Sequence, residues 1–126
     1  MGKPVVICVD DESIVLMSLK SELRASLGAE ARVETALSGE DALAIVEELT
    51  AEGLSLAMVI SDQRMPGMSG DALLARIRER YPDTLNILLT GYADLDAVAN
   101  AVNKGGLYRY LGKPWRRDDL AMTVRE

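Results

Sequence analysis

The sequence contains no histidine. That excludes Ser-His-Asp and Cys-His nucleophilic catalysis, imidazole-ligated metals and any role as a phosphohistidine donor. A single cysteine, Cys8, cannot close an internal disulfide, and no spacing matches a zinc site, so a reducing compartment fits and the cytoplasm is the expected location. Long apolar runs are missing too. Met1 to Pro4 carry one lysine and only five apolar residues follow before Asp10, too few for a signal-peptide core or a membrane span, and no membrane partner is expected. There is no low-complexity tract, no internal linker and no repeat of roughly 20 to 50 residues. Basic residues are the minority: 14 Lys+Arg stand against 20 Asp+Glu, for a net charge of -6. This disfavours a phosphate backbone as the main partner, so no direct nucleic-acid binding is expected. Chemistry is left to carboxylates, hydroxyls and lysine.

What is present is one domain's worth of chain, 126 residues of which 48% are hydrophobic, enough to sustain a core without metal or disulfide support. Short apolar runs alternate with longer amphipathic stretches, the pattern of a parallel sheet wrapped by helices. Val5 to Val9 is continuously apolar, as expected of a central strand covered on both faces, and it stops at Asp10. From Glu12 the period changes: Leu16, Leu19, Leu23 and Leu27 form one helical stripe, with Gly28 suited to the C-terminal cap. Arg32 to Ala36 alternates polar and apolar residues, so a half-exposed edge strand is expected. Ser38 and Asp41 form a capping pattern ahead of a helix carrying Ala42, Ile45, Val46 and Leu49, ended by Gly53. Leu56 to Ile60 is the second fully apolar run and also stops at an acid, Asp62, before a loop containing Pro66, Gly67 and Gly70.

Leu73, Leu74, Ile77 and Tyr81 mark a third helix closed by Pro82. Leu85 to Leu89 predicts a fourth strand ending at Thr90-Gly91, followed by a helix through Leu95, Val98, Ala99 and Val102. Leu107 to Leu111 predicts a fifth strand, with Lys113-Pro114 at its end. Asp118 to Glu126 begins a helix with few residues to complete it, so residues 1–126 are expected to be one domain at the N-terminal end of a longer protein.

In an open α/β sheet the ligand site lies beyond the carboxyl ends of the strands, where strand order reverses. Those ends read Asp10-Asp11, Asp62, Thr90 and Lys113. A doubly wound five-stranded parallel sheet of order 2-1-3-4-5, flavodoxin-like with three αβα layers, brings the three carboxylates into one crevice. Their mutual repulsion would be relieved by a divalent cation or a lysine. Hard oxygen donors without imidazole or thiolate select Mg²⁺, or Mn²⁺ in its place. A carboxylate can itself be a nucleophile toward phosphorus, and phosphoryl transfer needs mainly positioning and neutralisation of the equatorial oxygens. Asp62 then reads as the acceptor, with Lys113 cancelling charge and the Thr90 hydroxyl donating to a phosphoryl oxygen.

The segments VDDE at 9–12, SDQRMPGMSG at 61–70, LLTGYAD at 88–94 and YRYLGKPW at 108–115 together resemble the CheY-like receiver domains of two-component response regulators, over essentially the whole chain. The resemblance implies that Asp10 and Asp11 are the acidic metal-binding pair, Asp62 the phosphoacceptor, Thr90 the switch hydroxyl, Tyr110 the aromatic switch residue and Lys113 the conserved-type lysine, typically joined to Pro114 by a cis bond. It also implies a metal contact from the backbone carbonyl of Arg64, and a role for the Arg64 and Tyr92 side chains in setting the lifetime of the phosphorylated state. Gly112 departs from the larger residue more usual before the lysine.

Partners implied in the same way are a sensor histidine kinase or phosphotransfer protein, and an output domain or partner protein on the face of the fourth helix, fifth strand and fifth helix. Dimerisation on phosphorylation would use that face. The GGLYRYLGKPW segment is similar to receivers fused to AAA+ activators or HD-type phosphodiesterases. A receiver is not an enzyme beyond assisting its own phosphorylation and dephosphorylation. Two alternatives stand beside this reading: a docking module that takes no phosphate, and an aspartate-nucleophile phosphatase, which would want a second acid where Arg64 stands.

Overall fold

The computed structural model describes residues 4–90, 102 and 107–112. Its five strands are β1 (Val5–Val9), β2 (Arg32–Ala36), β3 (Leu56–Asp62), β4 (Leu85–Thr90) and β5 (Leu107–Gly112). Three helices are described: α1 (Ser13–Leu27), α2 (Gly39–Ala51) and α3 (Gly70–Arg80). All strand pairs are parallel and the order is β2-β1-β3-β4-β5, a doubly wound, flavodoxin-like α/β sheet.

Alternation along β1 divides the core in two. Val5, Ile7 and Val9 join Ala42, Val46 and Leu49 of α2 and Leu73, Leu74 and Ile77 of α3 on one face of the sheet. Val6 and Cys8 join Leu16, Leu19 and Leu23 of α1, with Ile60, Ile87, Leu89 and Leu111, on the other. The leucine stripe of α1 and the apolar stripes of α2 and α3 are thus the faces that bury. Each fully buried Leu or Ile among them contributes roughly 1.5–3 kcal/mol. Among the described residues no helix is long and apolar enough to cross a membrane.

The boundaries follow local chemistry. Gly28 ends α1 at φ 57, a left-handed conformation that a side chain disfavours, and its N–H bonds to the Arg24 carbonyl. Ser38 Oγ accepts from the Asp41 N–H at 3.1 Å and so caps α2 as expected. Arg32 is exposed and Val33 buried on β2, the half-exposed edge. β3 runs two residues past the apolar stretch, so Asp62 is its last residue rather than the first of the following loop. The helix expected through Leu95, Val98 and Ala99 lies outside the described residues except for Val102, which is helical and 54% exposed.

Candidate functional site

Register brings the strand ends to one rim. Val9 lies level with Ser61 across β1 and β3, so Asp10 and Asp62 follow side by side. Asp62 is level with Leu89 of β4, and Thr90 is level with Gly112 of β5. One carboxylate oxygen from each of Asp10, Asp11 and Asp62 lies within 4.8 Å of the other two. Asp10 is fully buried and Asp62 only 6% exposed, while Asp11 faces solvent and leaves the crevice an open mouth.

Backbone bonds fix the chain at Asp10 and at Asp62. Asp10 Oδ1 accepts from the Glu12 N–H at 2.9 Å, which turns the chain out of β1 and into α1, and the Asp10 N–H donates to the Ala36 carbonyl at 3.2 Å. Glu12 occupies the N-cap of α1 without a side-chain capping bond, so the helix start leans on Asp10 through that turn. The acid therefore serves the helix start and the crevice together. Asp62 continues into Gln63, whose N–H donates to the Leu89 carbonyl at 3.0 Å, and the Asp62 carbonyl accepts from Ser61 Oγ at 2.9 Å. Thr90, buried at 4% exposure, ends the neighbouring strand.

The loop from Asp62 to α3 carries features not evident in the sequence. A Cβ on Gly70 would stand 2.2 Å from the Asp62 carbonyl oxygen, so the first residue of α3 lies flush against the backbone of the acid. The Gly70 N–H donates to the Gln63 carbonyl at 3.0 Å and closes the loop on itself. Gln63 also reaches α3 through its side chain, donating to Asp71 Oδ1 at 2.8 Å and accepting from the Asp71 N–H at 2.9 Å. Met65 is buried in the core beside α2, and Met68 packs against Gly39, so both act as packing anchors of the loop. On α1, Ile14 and Met17 are 80% and 72% exposed, and Met17 lines an open groove with Leu37, itself 53% exposed.

The donor set fits a hard divalent cation. Three carboxylate oxygens gathered within 4.8 Å suit a small divalent cation that takes oxygen ligands, such as Mg²⁺. Two of the acids are buried, and among the described residues the cluster consists of carboxylates alone, hard donors that suit such an ion. Lys113, Pro114 and Tyr92 lie outside the described residues, as does the Tyr110 side chain; β5 carries the Tyr110 backbone level with Leu88. Gly112 ends β5 level with Thr90, and a Cβ there would meet nothing within 4 Å among the described residues.

A three-layer doubly wound α/β domain with an acidic crevice at its topological switch point is the class that this geometry defines. The chain belongs to the response regulator receiver domain family, whose pattern matches residues 6–125. Receivers are the signalling domains of two-component systems. The chain is 36% identical over 121 residues to the hydrogenase transcriptional regulatory protein HoxA of Cupriavidus necator, covering 96% of this chain and 23% of that protein. It is 36% identical over 124 residues to the DNA-binding transcriptional regulator NtrC of Salmonella typhimurium, covering 98% of this chain and 24% of the relative. The chain thus spans about a quarter of the length of these relatives. Among solved structures, the signal receiver domain of an HD domain-containing protein from Pseudomonas fluorescens Pf-5 superposes with a TM-score of 0.86 at 35% identity, covering 98% of this chain and 93% of that one.

Proposed function

We propose that the chain is a phosphorylation-dependent switch in a phosphorelay, with Asp62 taking a phosphoryl group from the phosphohistidine of a sensor histidine kinase or phosphotransfer protein. The observation that carries this reading is the meeting of Asp10, Asp11 and Asp62 oxygens within 4.8 Å at the mouth of a buried crevice. In the transfer, an Asp62 carboxylate oxygen forms the new O–P bond while the N–P bond to the donor imidazole breaks, the imidazole leaving with the electron pair. Mg²⁺, with Mn²⁺ able to substitute, would be held by the three carboxylates and the Arg64 carbonyl and would neutralise charge on the phosphoryl oxygens.

The chain's own groups do the rest. The turn at Asp10 fixes one carboxylate before any ligand arrives, and the burial of Asp62 limits the access of water to the acyl phosphate. The Thr90 hydroxyl donates to one phosphoryl oxygen and the Lys113 ammonium pairs with another. Movement of Thr90 toward the new group makes room for Tyr110 to turn inward, and the changed surface around β5 alters affinity for an output domain or partner. Two transcriptional regulators and an HD domain-containing protein among the relatives give the kinds of output to test. A donor protein reaching Asp62 must cover the rim at Asp11, and exposed Ile14, Met17 and Leu37 offer it apolar contact there. The reading places the protein in the cytoplasm, where such donors act.

Labelling tests it directly. With radiolabelled acetyl phosphate and Mg²⁺ the chain should take up close to one phosphoryl group, Asp62→Asn none, and a chelator should abolish uptake. Undiminished labelling of Asp62→Asn would show that the acceptor is another residue.

A further inference from the structure

The start of α3 is capped from an unexpected direction. A helix leaves its first N–H groups without intrahelical partners, and the N-cap side chain ordinarily takes one of them. Ser69 stands at the N-cap of α3 but makes no capping bond. Its hydroxyl instead donates to Asp71 Oδ1 at 2.7 Å. The Asp71 N–H is taken by Gln63 Oε1 at 2.9 Å, and Gln63 Nε2 returns a bond to Asp71 Oδ1 at 2.8 Å. The residue next to Asp62 in the chain therefore supplies the cap, eight positions before the group it satisfies.

We infer that Gln63 and Asp71 are positioning residues for the acidic crevice: their two-point clamp holds the loop between β3 and α3, and with it the Asp62 backbone and the Arg64 carbonyl, in the geometry that accepts a divalent cation. The inference rests on the reading of the crevice as a metal-dependent acceptor site. Three contacts bind loop and helix into one unit: the clamp, the bond from the Gly70 N–H to the Gln63 carbonyl, and the close approach of Gly70 to the Asp62 carbonyl. Without the clamp, the Asp71 N–H loses Gln63 Oε1 and the loop holding Arg64 is less tightly tied to α3. Oxygen ligands that must converge to within a few tenths of an ångström lose affinity when such support goes, by about 10- to 100-fold where hydrogen-bond partners of ligands have been removed.

The experiment is Mg²⁺ titration by calorimetry on the unmutated chain, Gln63→Leu, Asp71→Ala and Asp71→Asn, with thermal melts and acetyl phosphate labelling alongside. Asparagine at 71 keeps an Oδ1 acceptor and the backbone N–H. Gln63→Leu and Asp71→Ala should each raise the Kd about tenfold, and Asp71→Asn should recover most of the affinity. The double variant Gln63→Leu/Asp71→Ala should be little worse than Gln63→Leu alone, because the glutamine makes both bonds of the clamp and Asp71→Ala removes one of those two. Labelling should fall at limiting Mg²⁺ and return toward the unmutated rate at saturating Mg²⁺, a split that general loss of structure would not produce. Unchanged Kd in folded Gln63→Leu and Asp71→Ala would overturn the inference while leaving the acceptor reading intact. Failure of the unmutated chain to bind Mg²⁺ would instead overturn the acceptor reading, and the inference with it.

Discussion

Single residues set the tolerances of the crevice. At Gly70 the limit is steric: a methyl group would sit 2.2 Å from the Asp62 carbonyl oxygen, against backbone rather than a flexible side chain, so Gly70→Ala has to displace β3 or α3. The expected cost is about 2 kcal/mol or more in urea denaturation, together with slower labelling of Asp62. Cys8 shows a different limit. Burial pushes its thiol up from 9.0 to about 12, opposed weakly by Lys20. Between those values the unfolded chain loses the proton and the native chain keeps it, so stability present below pH 9 falls as pH rises, by up to about 1.4 kcal/mol per pH unit. Urea denaturation at pH 8 and pH 10 should show this loss, and Cys8→Ala should show a smaller one. The native thiol should also be slow toward thiol reagents at pH 8, as a buried neutral group is.

Elements came out of the sequence unevenly, for physical reasons. Helices α1, α2 and α3 were readable because each buries a single stripe, and a period of 3.6 survives any detail of the partner surface. The α2 cap was readable because Ser38 and Asp41 are three residues apart and the bond is local. Ser38→Ala should accordingly cost about 1 kcal/mol in chemical denaturation, with a fall in the cooperativity of α2 amide exchange. The α3 cap was not readable. Ser69 is a common N-cap residue type, yet the bond is made by Gln63 from across the loop, and a pairing that depends on the loop's fold leaves no periodic trace. The two residues added to β3 escaped for a related reason: Ser61 and Asp62 are polar, and burial at the sheet's rim, rather than apolar character, keeps them in the ladder.

At the scale of the whole molecule, the site exists because strand order reverses between β1 and β3, which converts acids 52 positions apart in the chain into neighbours. That much followed from counting strand ends, and so did Thr90, whose side chain is buried at the end of β4. The burial of Asp10 and Asp62 did not, since it depends on how far α1 and α3 close over the rim. Three acids held this closely repel one another, and a cation among them relieves that repulsion. In chelator, Asp62→Asn removes one charge without changing the side chain's shape and should be more stable than the unmutated chain, by on the order of 1 kcal/mol. In Mg²⁺ at ten times the Kd the unmutated chain should gain about 1.4 kcal/mol by mass action, and the variant should gain much less. The order of stability should therefore narrow or invert between the two conditions, as read by urea denaturation in each. A variant less stable in chelator would mean that the repulsion is already offset within the chain, and Lys113 would be the group to replace next.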